Sequence, residues 1–153
     1  MPLGTATPIL KVLLIGHALA AGVLAGALTH LSLSTRQARR GKANPRLLRL
    51  YPRVALGAWA VVTALGALLY PSYRIRVRAE YFDAALPWAS ALFDLKENLA
   101  ALVLPLLVGA WILGRDPDHA ARSRGFAGCV YGAAATVWFN VISGLLLTSL
   151  RSV

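Results

Sequence analysis

Four apolar runs, at about residues 12–33, 54–70, 88–113 and 126–150, constrain this chain more than any other feature of it. Each is close to the roughly 20 residues that a helix needs to cross a hydrocarbon core of about 30 Å. Inside such a core the backbone must satisfy its own hydrogen bonds, so runs of this length are read as helices. Composition points the same way: 58% of the residues are hydrophobic and 14% charged, whereas about a quarter of a soluble domain is charged. The chain therefore reads as an all-α integral membrane protein, a four-transmembrane-helix bundle forming one domain over residues 1–153. Little soluble mass is left over, so a functional site has to be built mainly from the bundle.

Local punctuation refines the spans. Tyr51-Pro52 and Tyr70-Pro71 bracket the second run, which places the prolines at a permitted first turn and just past the end. Trp88 and Trp111 mark the two interfaces of the third run. The first run is longer than the apolar part of a signal peptide and its positive charges follow it, so a span is expected there. Between the second and third runs, Tyr73, Ile75, Val77 and Ala79 alternate with Arg74, Arg76, Arg78 and Glu80. A period of two predicts a short extended or amphipathic connection with one face on the bundle or the bilayer, with a helix as the alternative.

Basic residues set the expected orientation. Arg36, Arg39, Arg40, Lys42, Arg46, Arg49 and Arg53 share one side with Arg115, Arg122 and Arg124, against a smaller group of Lys11, Arg74, Arg76, Arg78 and Arg151. The positive-inside rule then predicts a multi-pass protein of a bacterial-type inner membrane with both termini extracytoplasmic. The net charge of +10 flanks the spans and belongs to no nucleic-acid recognition module. Expected partners are membrane lipids, whose anionic headgroups attract such loops, and subunits of a larger membrane complex or a second copy of this chain; nucleic acid is not expected.

The third run is broken near its start by Asp94, Lys96, Glu97 and Asn98, and the charge-free stretch behind them, Leu99 to Leu113, is 15 residues long. That is too short to span, so the charged group lies at the edge of the bilayer or inside it, where such groups cost a few kcal/mol each, face protein or a wet cavity, and often carry function. Asp94, Glu97, Asn98 and Ala101 share one helical face, while Lys96 points elsewhere and is expected to snorkel to the headgroups. His17 of the first span and Asn140 of the fourth fall in the same leaflet, and an arginine of the preceding connection is expected to reach back to a carboxylate. The predicted proton or ligand site is thus His17, Asp94, Glu97, Asn140 and Arg74, with His30, Lys96, Asn98 and Arg78 as lesser members.

Several chemistries are set aside. There is no P-loop, GxSxG or HExxH motif, and Cys129 stands alone, without a disulfide or thiolate partner. A haem held by two histidines of this chain is disfavoured, because His17 and His30 lie near opposite ends of one span and His119 falls in a loop. No catalytic set, metal site or particular cofactor is expected. Gly22 and Gly26 form a GxxxG pair, and Gly57, Gly66, Gly128, Gly132 and Gly144 thin the other spans, so close contact within the bundle or with a partner is expected. Three functions remain, in this order: a non-catalytic accessory subunit of a larger membrane complex with a polar His/carboxylate cluster in the extracytoplasmic leaflet; a proton- or cation-handling protein using Glu97 and His17; and a quinone- or haem-associated redox subunit.

Overall fold

The computed structural model describes residues 8–151. Its elements are α1 (Pro8–Ala38), α2 (Pro45–Tyr73), a π-helical continuation (Arg74–Phe82), the single turn α3 (Asp83–Ala85), α4 (Pro87–Leu113), α5 (Pro117–Arg122) and α6 (Arg124–Leu150). Four continuous helical stretches are long and apolar enough to cross a membrane: Pro8–Ala38, Pro45–Ala85, Pro87–Leu113 and Arg124–Leu150. The architecture is the expected all-α four-transmembrane-helix bundle.

Two expectations are corrected. The first concerns where α2 begins. The Asn44 side chain accepts from the backbone N–H of Arg46 and Leu47 at 3.2 and 3.4 Å, and Pro45 occupies the first turn, where its missing N–H costs nothing. The helix therefore starts at the Asn44-Pro45 signal, upstream of the apolar run, and both Pro52 and Pro71 lie inside it. Pro52 leaves the Leu48 carbonyl without its helical donor. A Cβ on residue 114 would sit 3.1 Å from that oxygen, so glycine lets the end of α4 approach it.

The second correction concerns the connection from Tyr73 to Glu80, which takes the helical alternative, as a π-helix, and not the extended form that the alternation favours. No glycine or proline interrupts the chain between Pro71 and Pro87, so the backbone has no cue to leave the helix. The wider π turn also brings residues five apart onto one face. Val77 and Phe82 have that spacing and are both fully buried, and the Asp83 N–H bonds to the Arg78 carbonyl across the same interval. An alternating pattern over eight residues is compatible with this burial as well as with a strand.

α1 packs most extensively on α2, and α4 on α6, while α1 against α6 joins the two hairpins and α2 touches α4 less. Leu28, Leu31, Leu48, Leu107, Phe126 and Val130 are fully buried where these helices meet. Trp138 Nε1–H donates to Thr29 Oγ1 at 3.0 Å, a further tie between α6 and α1. A separate apolar cluster of Val77, Phe82, Ala89, Phe93 and Leu147 seats the π segment on α4 and α6. The turn between α1 and α2 closes at Gly41, whose φ of +79° suits glycine. Gly22 and Gly26, in contrast, have open space where a Cβ would project, so this pair lies outside the internal packing.

The tightest approach between α4 and α6 is at Gly109, where a Cβ would meet Cys129 Sγ at 2.9 Å. Gly109→Ala is expected to lower stability in detergent by about 1–3 kcal/mol through overpacking. Cys129→Ala in the same chain removes the sulfur and should recover most of that loss, which thermal melts of the parent, both single variants and the double variant will measure.

Candidate functional site

The π continuation swings one arginine over the start of α4. Arg78 grips Asp94 with both arms of its guanidinium, Nη1 donating to Oδ1 at 2.5 Å and Nη2 to Oδ2 at 2.9 Å. Its Nε lies 3.6 Å from Asp83 Oδ1, an oxygen that also accepts from Ser90 Oγ–H at 2.5 Å. A planar fork matched to a carboxylate gives direction as well as charge compensation. The Asp94 side chain remains 47% exposed, so the pair contributes on the order of 1 kcal/mol instead of the several expected of a fully buried one. Below it lies an aromatic floor: the Tyr73 and Phe93 rings stack at 4.7 Å, and Arg78 Cζ and Lys96 Nζ lie 6.0 and 5.7 Å from the Phe93 centroid.

Lys96 and Glu97 sit one turn deeper. Lys96 is half-buried and turned toward α6, with its Cε 3.5 Å from where a Cβ on Gly144 would be, so Gly144 makes room for its stem. The stem thus runs between the Phe93 ring and the gap at Gly144. Among the described residues the ion pairs are those of Arg78 with Asp83 and Asp94, and neither Lys96 nor Glu97 enters one. Glu97 instead lies within electrostatic reach of Lys96, Asp94, Arg78 and Arg74. Its charge also reaches Tyr73, whose hydroxyl is buried with no hydrogen-bond partner. Arg74, Arg78 and Lys96 formally balance Asp83, Asp94 and Glu97.

His17 of α1 is seated against α2. Its Nδ1–H donates to the Val62 carbonyl of α2 at 3.1 Å, which leaves Nε2 as the lone-pair nitrogen of the neutral ring. The Lys96 charge reaches His17 across the bundle. Other predicted members make their contacts elsewhere. Asn140 Nδ2–H donates to the Thr136 carbonyl one turn back at 2.9 Å, a local bond within α6. Arg74 lies over the Tyr70 ring at 6.0 Å and makes no ion pair, so the arginine that compensates Asp94 is Arg78, one turn further on. His30 stacks on Tyr51 at 5.7 Å, and Asn98 is exposed.

Asp83, Ser90 and Tyr73 are site residues that reading the sequence did not single out. A signal for Asp83 was present: in a π-helix Arg78 and Asp83 share a face, a relation hidden once the segment is taken as extended. Among the described residues no three His, Cys, Asp or Glu side chains converge as a metal site.

Over 81 residues, half of the chain, the sequence is 33% identical to the UPF0060 membrane protein of Acidovorax sp. (strain JS42), of which the match covers 69%. No family model and no solved structure matches the chain.

The seat of His17 depends on Gly66, where a Cβ would come within 3.2 Å of the ring carbon Cε1. Gly66→Ala is expected to push the ring off the Val62 carbonyl and to move the Nδ1 resonance of His17 in a nitrogen-15 spectrum. Gly57→Ala, placed where nothing lies within 4 Å, should leave that resonance in place.

Proposed function

The chain belongs to the UPF0060 membrane protein family, and from that premise we propose that it handles protons or small cations through the polar cluster of α1, α2 and α4. In this reading Glu97 takes up and releases the proton. Lys96 and the lone-pair nitrogen of His17 are the neighbouring groups that respond to its charge. The observation that carries the proposal is the division of labour between adjacent carboxylates: Asp94 is held by both arms of Arg78, while Glu97 has no ion-pair partner among the described residues. A carboxylate at this depth without a fixed counter-ion is suited to change its protonation state, because neutralisation relieves the cost of holding it there. The buried, unbonded Tyr73 hydroxyl, within electrostatic reach of Glu97, adds a group able to donate or accept. With the positive-inside orientation, the cluster opens on the extracytoplasmic side.

An accessory-subunit role is the second reading. It is favoured by the outward GxxxG pair of Gly22 and Gly26, which fits a neighbouring helix. One experiment separates the two. In proteoliposomes loaded with a pH-sensitive dye, the parent should dissipate an imposed proton gradient faster than empty vesicles. Glu97→Gln, which keeps the shape, should reduce that rate at least about tenfold with unchanged thermal stability. A parent no faster than empty vesicles contradicts proton handling and favours the accessory role.

A further inference from the structure

At the opposite end of α2 from the polar cluster, three arginines follow the helical repeat on one face: Arg46, Arg49 and Arg53. All three are exposed, and with Pro45 and Leu50 they line an open groove of about 480 Å³. None of them enters an ion pair among the described residues, and the sequence holds no Asp or Glu before Glu80. The helix end itself is already occupied by the Asn44 side chain, so the guanidinium groups alone remain to meet an anion.

Depth identifies the anion. Arg53 immediately precedes the charge-free run from Val54 to Tyr70 and so marks the edge of the hydrocarbon. At 1.5 Å per residue, Arg49 lies about 6 Å and Arg46 about 10 Å farther out. The headgroup layer on each side of a bilayer is roughly 5–8 Å deep, half the difference between total and core thickness. Arg49 and Arg53 therefore stand within the phosphate layer, and Arg46 at its outer rim. The same helix face continues into the bilayer through Val54 and Gly57, both exposed, with nothing within 4 Å of the Gly57 Cβ position. A cationic fork above an open apolar stripe matches both halves of a phospholipid.

We infer that Arg46, Arg49 and Arg53 form a binding site for one anionic phospholipid, with its phosphate on the guanidinium groups and an acyl chain along Val54 and Gly57. Guanidinium suits this role because it pairs with phosphate oxygens through two parallel hydrogen bonds.

The test uses the purified full chain in neutral detergent, titrated with phosphatidylglycerol, phosphatidylcholine or inorganic phosphate and read by native mass spectrometry. The parent should retain one phosphatidylglycerol in preference to phosphatidylcholine, and millimolar inorganic phosphate should not displace it, since phosphate lacks the acyl contact. In the triple variant R46Q/R49Q/R53Q, retention should weaken about tenfold or more, because the paired hydrogen bonds to the phosphate are lost. The variant R36Q/R39Q/R40Q removes the same number of charges from the same side and should weaken retention less than twofold. Arg49→Lys keeps the charge, loses the fork and should fall in between; it also serves if the triple variant does not fold. Equal loss in the two triple variants would overturn the inference in favour of diffuse attraction. Displacement by inorganic phosphate would overturn the lipid assignment in favour of a free-phosphate site.

Discussion

Everything at the polar end of this bundle depends on the two-armed contact between Arg78 and Asp94. The chain reaches that contact because α2 does not stop at the end of its apolar run but winds on, through a widened π turn, across the head of α4. Val77 and Phe82 bury one side of that turn, which leaves Arg78 on the side facing Asp83 and Asp94. Once Asp94 is compensated there, the charges one turn deeper are not drawn into the same pair. Lys96 settles between Phe93 and Gly144, and Glu97 remains among several charges without a partner of its own.

The two ends of α2 then serve different chemistry. At one end a balanced group of acids and bases, with His17 in electrostatic reach, gives the proton-handling reading its physical basis. At the other end stands an exposed arginine face that enters no ion pair among the described residues, the face proposed to hold a lipid phosphate.

The membrane-spanning architecture was legible because the bilayer leaves so few alternatives: an apolar run of sufficient length without charge has to be a helix. The grouping of Asp94, Lys96 and Glu97 at one depth was legible for the same reason. Helix azimuth was not. Depth alone places Asn140 with Glu97, yet the amide turns back on its own helix, and Arg74 and Arg78 differ by one turn that decides which meets Asp94. The π segment was hidden because Tyr73–Glu80 alternates like a strand, although burial five residues apart explains the same apolar positions. The Asn44-Pro45 start of α2 was readable from capping chemistry and was obscured by the more conspicuous Tyr51-Pro52 pair.

The central claim is that Arg78 is committed to Asp94 and leaves Glu97 without a partner. Two double-mutant cycles on detergent-solubilised protein test it most directly, one combining Arg78→Gln with Asp94→Asn and the other Arg78→Gln with Glu97→Gln, each read as thermal or chemical unfolding. The account predicts a coupling on the order of 1 kcal/mol for the first pair, the scale of a well-formed, half-exposed ion pair, and a clearly smaller one for the second. Coupling of Arg78 to Glu97 as strong as its coupling to Asp94 would contradict it.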